Sequence, residues 1–243
     1  MNVVGDLLAR ERRSDRPALV IGDRERSYHE LLTNAYKAGN VLRFYGVGEG
    51  RPLAAAPVPD LPPVLAFLGA AQLGAATRFD PAAGADAGDR LVLVPTAEEA
   101  AYDPAPGTKL AVFGGEADDA DTIDWEESVW SENPAFPPTR VDPETPLLLD
   151  GDRSVSHAAA LEAATEVAEM EGLGEESRVV VRSSLAEPGA VVAGLLAPLL
   201  VGGCAVLADP SAAAEDGLGD LAISGNEAPE PARIAPGSVP LSD

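Results

Sequence analysis

A hydroxyl and an imidazole stand side by side near the middle of the chain, at Ser156 and His157. A nucleophile and base at adjacent positions seldom meet at one centre, and the chain has no Gly-x-Ser-x-Gly elbow. Ser156 is therefore predicted to cap a helix, which places His157 in the first turn, where the helix dipole disfavours its protonated form. The polar stretch around this pair gives the candidate residues Asp150, Gly151, Asp152, Arg153, Ser154, Ser156 and His157. No residue is assigned a catalytic role.

Three other features can be weighed as metal or redox sites. His29 has no second ligand in view, so we do not expect it to bind metal. The acidic run 118–121 can hold calcium loosely, but it lacks the glycine and terminal glutamate of an EF-hand, so a solvated loop is the favoured interpretation. The single cysteine, Cys204, excludes an intramolecular disulfide framework and fits a reducing cytoplasm. We expect no metal and no cofactor.

The charge balance limits the partners of this 243-residue chain. Asp and Glu number 40 against 17 Lys and Arg, which gives a net charge of −23, and only Lys37 and Lys109 are lysines. Such a surface repels nucleic acid and anionic membranes. Either a site for cations or basic partners, or adaptation to high salt, explains this excess of acidic residues. The spread of the acids along the chain favours a halophilic, cytoplasmic protein, and the N-terminus lacks the features of a signal peptide.

One uncharged stretch, residues 189–208, is long enough to span a bilayer. Pro198 and the Gly202-Gly203 pair interrupt it. A buried helix, a glycine turn and a buried strand are therefore predicted, and no membrane association is expected.

The elements that must position these groups alternate between short apolar strands and helices. Ser27 and Glu30 form a predicted capping box at the start of one helix, and Thr96 and Glu99 form a second. Strands are predicted at 17–21, 53–58, 75–78, 90–94, 109–113, 146–149, 178–182, 205–208 and 221–224, and helices at 3–13, 28–45, 62–73, 96–101, 125–130, 156–171 and 188–200. This order predicts an α/β fold with mostly parallel sheets covered by helices.

The predicted domain covers residues 1–225. The proline-rich and acidic stretch 114–145 indicates a break between two Rossmann-like subdomains. Residues 226–243, with four prolines, are expected to form a loosely ordered tail.

Three blocks of the first 75 residues resemble one known family. They are Pro17-Ala-Leu-Val-Ile-Gly-Asp-Arg24 with Ser27-Tyr-His-Glu-Leu-Leu32, then Gly46-Val-Gly-Glu-Gly-Arg-Pro52, then Phe67-Leu-Gly-Ala-Ala-Gln-Leu-Gly-Ala75. In type and spacing they are similar to the N-terminal domain of the adenylate-forming, AMP-binding acyl-CoA synthetases. A weaker similarity covers residues 179–210. The resemblance implies that family's N-terminal α/β scaffold.

The family's phosphate loop has no counterpart in this sequence. The resemblance implies a Ser/Thr/Gly-rich loop that ends in Pro-Lys-Gly and binds the ATP phosphates. Small residues suit this loop because they let backbone amides approach the phosphates. Here the stretch is shortened to residues 150–155, with two carboxylates and no lysine. Two carboxylates facing a triphosphate would repel it. Relatives often have a histidine at the position of His157, which makes it a remnant.

The resemblance leads to two hypotheses for function, and an unrelated α/β enzyme that uses Asp150, Asp152 or His157 is a third, less favoured interpretation. The first is a truncated, degenerate relative that does not adenylate carboxylates by itself and has a binding or regulatory role. The alternative is a subunit of a split acyl-CoA synthetase, an ATP-dependent acid–thiol ligase whose later motifs lie on a partner chain. A homodimer is the other expected assembly, because a shortened sheet leaves an edge to cover.

Overall fold

The computed structural model describes residues 1–208 and 217–241, which form two compact units. One unit comprises Met1–Leu32, Val58–Asp60 and Val155–Asp243, and the other comprises Thr33–Pro57 and Leu61–Ser154. The chain passes from one unit to the other after residues 32, 57, 60 and 154. Residues 209–210, the end of the weaker similarity, and residues 242–243, the end of the predicted tail, lie outside the described residues.

The elements follow the expected alternation. Strands are β1 Pro17–Ile21, β2 Arg24–Ser27, β3 Leu53–Ala55, β4 Thr77–Arg78, β5 Leu91–Pro95, β6 Lys109–Phe113, β7 Ile123–Asp124, β8 Pro146–Asp150, β9 Arg153–Ser156, β10 Arg178–Val181, β11 Cys204–Leu207, β12 Leu221–Ile223 and β13 Ala232–Ile234. Helices are α1 Tyr28–Phe44, α2 Leu61–Gln72, α3 Pro81–Ala87, α4 Trp125–Ser131, α5 His157–Met170, α6 Pro188–Val191 and α7 Ala197–Val201. Short 3-10 turns cover Val4–Leu8, Arg10–Arg12, Thr96–Ala101 and Pro236–Ser238.

Each unit is built on one sheet. The first has the strand order β13-β12-β10-β11-β1-β2, and the second has β7-β6-β5-β3-β4-β8-β9. Neighbouring strands pair in parallel except at hairpin strands such as β2, which pairs antiparallel with β1. The central strands are apolar and buried on both faces, as in β5 and β11. The predicted α/β class with mostly parallel sheets is confirmed.

The apolar stretch 189–208 forms a helix, a turn and a strand, as predicted. A π turn, Val192–Leu196, joins α6 to α7, and Gly202, with φ of 80°, ends the helix before β11. Gly194 lies on β10, where an added Cβ would stand 2.3 Å from Val181 Cγ2. Among the described residues, no helix is long and apolar enough to cross a membrane.

Three expectations differ from the structure. Thr96 and Glu99 do not form a capping box, because the Thr96 hydroxyl donates to the Phe113 carbonyl oxygen and the Glu99 carboxylate accepts from the loop that follows β6. In place of the helix predicted over residues 3–13, the chain forms two 3-10 turns, Val4–Leu8 and Arg10–Arg12. In place of the loose tail, β13 pairs in parallel with β12, and Val239 is buried.

Candidate functional site

Residues 150–155, for which the resemblance implies a phosphate loop, belong to a tight β-hairpin. Strands β8 and β9 are hydrogen-bonded neighbours, and only Gly151 and Asp152 connect them. Gly151 has φ of 56°, the left-handed conformation that a two-residue hairpin requires at its first central position. The side chains of residues 150–154 are exposed. A two-residue turn has too few amides to surround a triphosphate, since those of the strands belong to the sheet.

The same hairpin occurs a second time in the chain. Strands β1 and β2 are joined by Gly22-Asp23, and Gly22 also has φ of 56°. Residues 17–32 and 146–161 are identical at seven of sixteen positions, including a shared Gly-Asp-Arg-x-x-Ser pattern. Sequence reasoning missed this repeat and therefore missed strands β2 and β9. The repeated Gly-Asp-Arg-x-x-Ser pattern is the feature of the sequence that indicates both strands.

Each copy leads into a helix through a capping serine. The Ser27 hydroxyl accepts from the Glu30 amide at 3.2 Å, and Ser156 accepts from the Ala159 amide at 3.1 Å. Glu30 completes the first capping box by accepting from the Ser27 amide, which lowers the pKa of its carboxyl group. Both predicted caps are confirmed. The Ser156 hydroxyl therefore serves α5 and is not presented to a ligand.

His157 lies inside the first unit and cannot reach solvent. Its side chain is 0% exposed, and Nδ1 accepts a 3.2 Å hydrogen bond from the backbone amide of Val4. That bond leaves the proton on Nε2, which has no hydrogen-bond partner among the described residues. Burial lowers the pKa to about 4, and the nearby Asp6 carboxylate opposes this only in part. A histidine held neutral in the core fixes the N-terminal segment and cannot act as a base on a bound substrate.

The cleft that touches β8 is unsuited to an anionic ligand. It encloses about 630 Å³ and is lined by Pro146 and Leu149 of β8. Its other lining residues include three acids, Glu49, Asp142 and Glu144. These carboxylates would repel phosphate unless a cation intervened. No group of three potential metal ligands occurs in the part of the chain that the structure describes.

Arginines line a second cleft, of about 280 Å³, in the first unit. Arg12 donates to the carbonyl oxygens of Leu199 and Leu200, and Arg16 donates to that of Gly202 at 2.7 Å. Arg16 also pairs with the Glu175 carboxylate at 2.6 Å. These cations therefore stabilise the C-terminal end of α7, where carbonyl groups lack helical partners.

The acidic run 118–121 is held by protein groups. The Glu99 carboxylate accepts from the amides of Asp118 and Asp119, at 2.8 and 3.1 Å, and these bonds lower its pKa despite the opposing effect of desolvation. Asp119 in turn accepts from the Asp121 amide. His29, the other sequence candidate, has an exposed side chain. The candidate residues thus divide among turns, caps and core.

Two CoA ligases and VinN are among the solved structures that this chain resembles. The anthranilate CoA ligase AuaEII, solved with anthranoyl-AMP, is 20% identical with a TM-score of 0.75, and the match covers 86% of this chain and 45% of that one. The benzoate CoA ligase from Burkholderia xenovorans LB400 is 22% identical with a TM-score of 0.70, covering 86% and 46%. VinN is 21% identical with a TM-score of 0.73, covering 91% and 63%.

These matches define the fold. The two sheets and their helices match the N-terminal α/β domain of adenylate-forming enzymes, and the chain spans about half the length of the CoA ligases that it matches. No protein-family model matches the sequence, and no curated protein matches it.

Proposed function

We propose that this protein is a non-catalytic relative of the AMP-binding acyl-CoA synthetases, with a binding or regulatory role. The observation that carries the proposal is the hairpin at Gly151-Asp152. It occupies the segment for which the resemblance implies an ATP-phosphate loop. Phosphate binding at such a loop depends on several free backbone amides and a lysine. The two-residue turn has too few free amides, and the segment 150–155 has no lysine.

The charges of the hairpin support the same conclusion. Asp150 directly before the turn and Asp152 within it are both exposed, and Arg153 is the one cation in the segment 150–155. At close range, the repulsion between two carboxylates and a triphosphate is larger than the attraction that one guanidinium group supplies. His157 adds no catalytic group, because its imidazole is buried against Val4.

Pyrophosphate exchange tests the proposal directly. The chain is incubated with ATP, labelled pyrophosphate and a panel of aromatic and aliphatic carboxylic acids, in low and in molar KCl. We expect no exchange above the protein-free blank. An active CoA ligase assayed in the low-salt buffer is the positive control. Carboxylate-dependent exchange that is lost in Arg153→Ala would contradict the proposal, since this residue would then contact the nucleotide.

The alternative is a subunit of a split acyl-CoA synthetase. Its support is the extent of the matches, which leave more than half of AuaEII and of the benzoate CoA ligase without a counterpart in this chain. Under this hypothesis, exchange appears only when a second polypeptide supplies the remaining part. Co-purification from the native host, followed by the exchange assay on the complex, separates the two hypotheses. An active complex supports the alternative, and recovery of the chain without a ligase partner supports the non-catalytic role.

A further inference from the structure

The hairpin that joins β8 to β9 contains an aspartate followed directly by a glycine. Asp150 is the last residue of β8, and Gly151 opens the turn. Both residues are exposed, and a Cβ added at Gly151 would meet no atom within 4 Å. In the part of the chain that the structure describes, the Gly151 amide donates no hydrogen bond to another main-chain group. The Asp150 carboxyl group and the amide that follows it are therefore accessible neighbours.

These two groups can react with each other and with water alone. The nitrogen of Gly151 forms a bond to Cγ of Asp150, and the hydroxyl group of the protonated carboxyl leaves with the amide proton as water, which gives a succinimide ring. Water then opens the ring. Attack at Cγ restores aspartate, whereas attack at the main-chain carbonyl carbon gives isoaspartate, in which the main chain runs through Cβ and Cγ. The same number of water molecules leaves and enters, so the mass of the protein is unchanged.

The sequence and the place in the hairpin favour this reaction at Asp150. Gly151 has no side chain to hinder the approach of its nitrogen to Cγ, whereas Asp152 is followed by the long side chain of Arg153. Ring closure requires Asp150 to rotate out of its strand conformation. Such local opening costs least at an exposed turn at the end of a strand pair. In the first copy of the hairpin, Ile21 precedes the turn glycine, so the same turn there has no carboxyl group to react.

We propose that Asp150 is a modification site, at which the folded protein converts spontaneously from aspartate to isoaspartate. The conversion adds one carbon to the main chain beside the turn. Because turn length and turn type determine the register of a hairpin, the added carbon alters the pairing of β8 with β9, directly before the Ser156 cap of α5. The reaction needs no ligand, so the inference does not depend on the proposed function.

The test follows isoaspartate in the folded chain, incubated at neutral pH and 37 °C in molar KCl. Trypsin cleaves after Arg140 and Arg153 and releases fragment 141–153, which contains Asp150. Aspartyl and isoaspartyl fragments have equal mass, but chromatography separates them and electron-transfer fragmentation identifies the residue. We expect the isoaspartyl form at residue 150 to accumulate with time. The other Asp-Gly pair of the sequence, at 216–217, falls in a different tryptic fragment and does not interfere.

Two variants and a synthetic peptide of residues 141–153 are the controls. Gly151→Asn retains Asp150 and tolerates a positive φ, but its side chain hinders ring closure, so conversion at residue 150 slows several-fold. Asp216→Glu removes the other Asp-Gly pair and leaves conversion at residue 150 unchanged. Circular dichroism establishes that both variants are folded. The proposal is overturned if the peptide converts while the folded chain stays at its starting level, or if Gly151→Asn converts as fast as the wild type.

Discussion

Acidification should destabilise the first unit through His157. The neutral imidazole accepts from the Val4 amide, and burial lowers its pKa from 6.5 to about 4. The unfolded chain therefore binds one more proton than the folded chain between these pH values. The stabilisation is fully present above pH 6.5 and is lost as the pH falls toward 4. The loss in the free energy of unfolding is about 2 kcal/mol at pH 5 and about 3 kcal/mol at pH 4.

A substitution isolates this contribution from the many carboxylates that titrate in the same range. In His157→Asn, the side-chain oxygen can accept from Val4 in place of Nδ1, but the group does not titrate. Urea unfolding at fixed molar KCl, followed by circular dichroism from pH 7 to 4.5, gives the free energy for both proteins. We expect the wild type to lose about 2 kcal/mol more than the variant by pH 5.

The chain has two histidines, so the imidazole signal that disappears from the NMR spectrum of the variant belongs to His157. Its titration midpoint in the folded wild type should lie near pH 4. Parallel pH dependences of stability in the two proteins, or a midpoint above pH 6, would refute the assignment of a buried neutral imidazole.

The remaining predictions concern packing, caps and salt, and urea unfolding checks each of them. Ser156→Ala removes the cap of α5 and should cost about 1 kcal/mol, whereas the exposed Ser154→Ala should change stability little. Gly194→Ala forces a methyl group against Val181 and should cost about 1–3 kcal/mol. Arg182→Met leaves the buried carboxylate of Glu230 without its 2.6 Å partner and should cost about 3–5 kcal/mol, and adding Glu230→Gln should restore part of that loss. Unfolding free energy should rise from low to molar KCl, because counterions screen a net charge of −23; equal stability at both ends would contradict adaptation to salt.

The sequence predicted the elements whose signals are local. The Ser27–Glu30 capping box, the Ser156 cap and the glycine turn at Gly202 all depend on residues within one helical turn. The alternation of apolar strands and helices then determined the α/β class. These features are decided by backbone geometry and hydrogen bonding, which short patterns specify.

The missed features depend on groups distant in the chain. Glu99 matched the spacing of a capping box, yet its carboxylate binds amides near residue 118, which no local pattern indicates. The tail seemed loose because of its prolines, but Ala232–Ile234 pairs with β12. The burial of His157 depends on a partner at residue 4. Contacts of this kind appear only once the chain is folded.

The residues of the repeated hairpin have structural roles. In both copies, the glycine adopts the positive φ that the turn requires, and the second strand leads the chain to the helix. The serine then caps the first turn of that helix. None of these roles requires a nucleotide. The position after the capping serine is buried in both copies, where Tyr28 donates to the Gly203 carbonyl oxygen and His157 accepts from Val4. Because His157 has a core role matching that of Tyr28, its presence is explained by packing, and a family-like histidine here is no evidence of retained catalysis.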